Sequence, residues 1–130
     1  GRKPEVKSLI FVTADSCRTQ LERLTQLLVS AFPGSTVYQH TDLCRVPHDI
    51  LNHKVDAIFL ETEVDETNSL DFVRMLRRQK KSLPVFIISQ TEDLREEAAK
   101  VGVNDYFVQP VTEQQLRDAI QSVKDKENAS

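Results

Sequence analysis

The amino-acid sequence predicts an α/β fold, a doubly wound sheet of five parallel strands with five helices on its two faces. Three observations carry that expectation. Apolar runs of strand length, rich in β-branched residues, occur at 9–12, 57–60 and 85–88, and near-continuous apolar strands are those buried on both faces of a parallel sheet. Between them lie segments whose apolar residues recur every three or four positions, as in helices packed on one side. The alternation of the two patterns requires crossover connections, and these make the strands parallel.

In chain order, the first strand over 9–12 leads through Ser16, a good N-cap, to a helix with Leu21, Leu24, Leu27 and Leu28 on one face,. Phe32-Pro33-Gly34 ends it,. A weaker strand over 36–39 precedes a short helix over 47–54, with Pro47 suited to its first turn,. The strand over 57–60 precedes a third helix over 69–79, with Leu70, Val73 and Leu76 as its inner stripe,. The strand over 85–88 precedes a fourth helix over 93–101 that stops at Gly102,. The last strand, 106–108, leads to a fifth helix from Thr112. There Thr112 and Gln115 form a capping box, and Leu116, Ala119, Ile120 and Val123 face inward,.

With 130 residues the chain is expected to be one domain, 1–130, with a core over about 7–124 and polar tails at 1–6 and 125–130,. A net charge of -3 with interspersed signs gives no basic field for nucleic acid or an anionic membrane,. Two cysteines, Cys17 and Cys44, with no signal-peptide pattern and no spanning apolar run, lead us to expect reduced thiols in a cytoplasmic protein,.

In sheets of this kind chemistry collects just beyond the carboxyl ends of the central strands. The residues to inspect are therefore Thr13, Ala14, Asp15, Glu61, Thr62, Ser89, Gln90 and Gln109. The run DAIFLETE, which ends an apolar strand on Glu61, draws most attention.

From about Lys7 to Lys124 the order and spacing of these segments resemble the receiver domain of bacterial two-component response regulators. The resemblance rests on Asp56-Ala57-Ile58-Phe59-Leu60-Glu61, on Asn68-Ser69-Leu70 after it, on Pro84-Val85-Phe86-Ile87-Ile88-Ser89, and on Gly102-Val103-Asn104-Asp105-Tyr106-Phe107-Val108-Gln109-Pro110. It implies a flavodoxin-like sheet of strand order 2-1-3-4-5. It also implies that Glu61 occupies the phosphoacceptor position, that Ser89 and Tyr106 occupy the switch positions, and that Gln109 replaces the lysine that contacts the phosphoryl group. Helix-one spacing puts Thr13 and Ala14 where the family keeps an acidic pair for Mg²⁺, with Asp15 just beyond; a register one residue off rescues one ligand.

These departures remove cations from a reaction that depends on positioning and charge stabilisation. Efficient phosphorylation, catalytic residues and a resident cofactor are therefore not expected, and Mg²⁺ binding is expected to be weak or absent. For Glu61 two readings stand: a carboxylate reaching towards Ser89 in imitation of a phosphorylated site, or one solvated at a strand end and bonded to Ser89, Gln109 or nearby backbone. Tyr106 reads equally as a switch aromatic and as a half-buried strand residue with a wet hydroxyl. Cys44 and His48 lack a second ligand pair for zinc, and Cys17 reads more simply as an inert thiol than as a redox sensor. The basic group Arg74, Arg77, Arg78, Lys80 and Lys81 reads as a solvated helix end.

The first expectation is a degenerate, phosphorylation-independent receiver within a larger signalling or transcriptional regulator. The resemblance makes the face of its fourth helix, fifth strand and fifth helix the contact for a partner, an output domain or a second copy. A working phosphoacceptor using Glu61, Glu63 or Asp65 with Asp15 as metal ligand is a second reading. A small-ligand site at the sheet top is a third, although no Gly-rich phosphate loop is present.

Overall fold

The computed structural model describes residues 8–79 and 81–129. Five strands, β1 (Ile10–Ala14), β2 (Thr36–His40), β3 (Ala57–Leu60), β4 (Val85–Ser89) and β5 (Asp105–Val108), form a parallel sheet of order β2-β1-β3-β4-β5. The helices are α1 (Arg18–Ala31), α2 (Val46–Asn52), α3 (Ser69–Arg78), α4 (Arg95–Val101) and α5 (Glu113–Ala129). The expected fold class and strand order are thus observed.

Strand alternation divides the core in two. Val12, Ile58, Leu60, Val85, Ile87 and Tyr106 face Val46, Leu70, Val73 and Leu76 on one side. On the other side Phe11, Phe59, Phe86 and Phe107 pack beneath Leu28, Leu116, Ala119 and Ile120. The four phenylalanines run across four strands, with ring centroids 5.9, 5.1 and 6.2 Å apart from one to the next. Offset aromatic contacts of this kind add to the burial that holds a sheet to its helices.

The element boundaries differ from expectation for identifiable reasons. β1 runs on through Thr13 and Ala14 because both pair with β2 and β3, Thr13 opposite Gln39 and Phe59, Ala14 opposite His40 and Leu60. Ser16 does not cap α1. Cys17 holds that position without a side-chain bond, and Ser16 Oγ instead accepts the Asp65 amide at 2.6 Å. α2 spans Val46–Asn52, and α4 begins at Arg95 after a turn closed from Arg95 N to Glu92 O. α5 continues to Ala129, so residues 125–129 are helix rather than tail; the expected tail at 1–6 lies outside the described residues.

Between β3 and α3 there is a hairpin the sequence reading did not anticipate, in which Glu63 pairs with Asn68 and Val64 with Thr67. Its turn places Asp65 and Glu66 at φ 48 and 64. The basic group also needs correction. Arg77 is half-buried rather than a freely solvated end: its guanidinium donates to the carbonyls of Gly102, Lys81 and Leu83 and to Asn104 Oδ1. Arg74 pairs with Asp71 and Glu97, while Lys80 lies outside the described residues.

Candidate functional site

The parallel register delivers the ends of β1, β3 and β4 to one rim, since Ala14 lies opposite Leu60 and Leu60 opposite Ile87. The chain then turns outward. Glu61 N still donates to Ala14 O at 3.1 Å, which fixes Glu61 directly beyond the strand pair. Behind it, Ser69 at the start of α3 closes the loop: its Oγ donates to Glu61 O at 2.5 Å and its amide to Thr62 O at 3.0 Å.

A cleft of about 410 Å³ opens here, between the rim, α1 and the segment after β5. Ala14, Asp15, Glu61, Gln90 and Gln109 line it, so the structure brings together most of the residues expected at the sheet top. Thr13 is not among them. It lies fully buried in β1, and its Oγ1 finds no hydrogen-bond partner among the described residues.

The Glu61 carboxylate does not reach Ser89. Its Oε1 accepts from the Thr62 amide at 2.6 Å and from Thr62 Oγ1 at 2.7 Å, a local arrangement of the nearby-backbone kind. Asp15 is folded back similarly, with Oδ1 accepting the Cys17 amide at 2.8 Å. Burial pushes the Asp15 carboxyl above its ordinary pKa, and the Cys17 N–H opposes that only in part,. Gln109 is held by its backbone, its amide donating to Ser89 O at 2.8 Å ahead of a cis bond to Pro110.

Ser89 and Tyr106 occupy the opposite face of the sheet, where both are buried. They meet at one residue that sequence reasoning missed. Thr91 N donates to Ser89 Oγ at 3.2 Å, and the Tyr106 hydroxyl donates to Thr91 O at 2.6 Å. Arg95 completes the arrangement: its guanidinium lies 5.0 Å from the centre of the Tyr106 ring, donates to Tyr106 O at 2.7 Å and pairs with Glu92,. Tyr106 is therefore turned inward with its hydroxyl bonded, not wet. The only hint in sequence was the Glu92–Arg95 spacing, which suits an ion pair across one helical turn.

Mg²⁺ takes an octahedral oxygen shell and favours carboxylates. The cleft supplies Asp15 and Glu61, but Ala14 contributes no ligand, and the described residues contain no group of three His, Cys, Asp or Glu placed to hold a metal ion. The residues present do not fit a tightly held divalent cation. Cys17 and Cys44 are exposed free thiols, and no described helix is long and apolar enough to cross a membrane.

Comparison with known proteins agrees with this architecture. The family model for the response regulator receiver domain matches residues 10–121. A chemotaxis protein CheY homolog of Campylobacter jejuni is 31% identical over 96 residues, 65% of this chain and 73% of that protein. Stress response regulator protein 1 of Scheffersomyces stipitis is 28% identical over 107 residues, 78% of this chain and 37% of that protein. Among solved structures, a response regulator receiver domain protein from Clostridium thermocellum is similar with a TM-score of 0.81 at 21% identity, covering 93% of this chain and 98% of that one. The chemotaxis response regulator CheY4 of Vibrio cholerae is similar with a TM-score of 0.76 at 17% identity, covering 90% and 99%. At these identities the structures speak to the fold.

Proposed function

Because the chain belongs to the response regulator receiver domain family of two-component signalling, we propose that it is a degenerate receiver working without phosphoryl transfer, as a protein-interaction module of a larger cytoplasmic regulator. The observation that carries this reading is the state of the carboxylate beyond β3. Glu61 is turned onto Thr62, beside an alanine and an uncharged glutamine. Phosphoryl transfer needs a placed nucleophile and cations on the equatorial oxygens. Glutamate carries its oxygens one methylene further out than aspartate, and a misplacement of about 1 Å costs on the order of a hundredfold in rate. On this reading the domain is not an enzyme and keeps no cofactor.

Its partner surface is the face of α4, β5 and α5, used by an output domain, a transcriptional or other signalling partner, or a second copy. The support is the junction of Ser89, Thr91, Tyr106 and Arg95, which ties α4 to β5 and to the segment after β4. A switch needs a ligand that favours one state over another, and Ala14, Glu61 and Gln109 stand where the groups that would hold a phosphoryl ligand are expected.

Incubation with Mg²⁺ and acetyl phosphate, followed by intact mass measurement, tests the proposal. The expected mass is unchanged, and the combined substitution Ala14→Asp, Glu61→Asp and Gln109→Lys is expected to gain a phosphoryl group. A stoichiometric adduct on the unaltered chain would overturn the reading in favour of a working acceptor at Glu61, Glu63 or Asp65.

A further inference from the structure

The cleft beside Glu61 has a composition that phosphoryl chemistry does not explain. Its floor is apolar, formed by Leu21, Leu24, Phe59, Ile88 and Val111. Its volume of about 410 Å³ falls in the range of small-molecule sites, roughly 300–1,000 Å³. Asp15 and Glu61 both face it, and among the described residues neither forms an ion pair. Among the described residues, Asp15 is engaged through Oδ1 and Glu61 through Oε1, each by local donors, so the second oxygen of each is left for a ligand. Gln20, Gln90 and Gln109 add amide groups to the rim.

Charge selects among ligands. Arg23 also lines the cleft but is exposed, whereas Asp15 and Glu61 are half-buried, so water screens the arginine more than the carboxylates. Two partly desolvated negative charges beside an apolar floor disfavour an anion and favour a positive head on an apolar body.

We propose that the cleft binds a small organic amine, its ammonium at Asp15 and Glu61 and its apolar body on Leu24, Phe59, Ile88 and Val111. The desolvation that raises the Asp15 pKa is the cost a bound ammonium relieves,. The proposal concerns the unphosphorylated chain, in which both carboxylates are intact, and is tested on that form without Mg²⁺ or acetyl phosphate, so its failure is distinguishable from a phosphoryl adduct at Glu61.

The probe is 2-phenylethylamine, titrated into methyl-labelled protein while the resonances of Leu24, Leu27, Ile88 and Val111 are followed. Phenylacetate, with a similar body and the opposite charge, is the control. Saturable shifts confined to these methyls are expected, with a Kd on the order of 1 mM or tighter, and phenylacetate is expected to leave them in place. Asp15→Asn with Glu61→Gln keeps the oxygens that accept from Cys17 and Thr62 and should weaken the amine about tenfold or more. Equal or tighter binding of phenylacetate would overturn the proposal, as would unchanged amine affinity in the double variant or no saturation by about 20 mM.

Discussion

Asp15 shows how a single residue carries both the history and the present chemistry of the sheet top. Its position beyond β1 is legible in sequence because the apolar run stops there, but its half-burial is not, since that depends on α1 leaning over the rim. The consequence is a pH dependence with a definite sign. Burial raises the folded-state pKa above the ordinary aspartate value, so between the two values the native chain binds more protons than the unfolded one. Stability from this group is then greatest below the unfolded pKa and falls as pH rises through that window. Asp15→Asn keeps an acceptor for the Cys17 amide and removes the charge. It is expected to raise the urea midpoint at about pH 7 and leave it unchanged at about pH 3, below the ordinary aspartate value. An equal gain at both pH values would assign the effect to something other than the carboxylate. Glu61 teaches a related lesson: its place was legible from strand periodicity, but its choice of Thr62 over Ser89 depends on side-chain reach that spacing does not encode.

At the level of elements, apolar runs located the three central strands because burial on both faces leaves little room for polar residues. Helix ends were less legible, since a cap is decided by whichever donor is nearest in space. Ser16 serves the hairpin beyond β3 instead of α1, and the mostly polar residues 125–129 extend α5 because a helix adds one bond per residue once it is nucleated,. The link from α3 to β5 was hidden for the same reason. Gly102 ends α4 at φ 98, and a Cβ placed there would come within 3.2 Å of Arg77 Nε. The missing side chain lets the guanidinium lie against the Gly102 carbonyl and join four segments at once: the end of α3, the approach to β4, the end of α4 and Asn104 before β5. Arg77→Ala is expected to cost about 2 kcal/mol in urea denaturation, because it removes charged donors from several carbonyls. Arg77→Lys should restore little of that, since an ammonium lacks the planar fork. Full rescue by lysine would show that charge near the helix end, not the fork, is what matters.

For the molecule as a whole, the sheet separates two apolar clusters, and its unfolding reports whether they act as one. Both tyrosines, Tyr38 and Tyr106, lie with the cluster under α3, while Phe59 belongs to the cluster under α1 and α5. The chain has no tryptophan, so tyrosine emission reports from one face only. Phe59 is fully buried and contacts Phe11 and Phe86 on neighbouring strands. Phe59→Ala therefore leaves a cavity costing about 3–5 kcal/mol, a large fraction of the roughly 5–15 kcal/mol that holds a domain of this size. Because β1, β3 and β4 present side chains to both clusters, losing packing on one face loosens the strands that support the other. The tyrosine-detected midpoint in urea is expected to fall by as much as the midpoint from far-ultraviolet circular dichroism, with the two transitions coincident. A tyrosine transition that stayed at the unaltered midpoint while the dichroism moved would divide the domain into two units at the sheet. Such a division would put α4 and Tyr106 in one unit and α5, with the cleft, in the other, so the contact face proposed for α4, β5 and α5 would be broken with it.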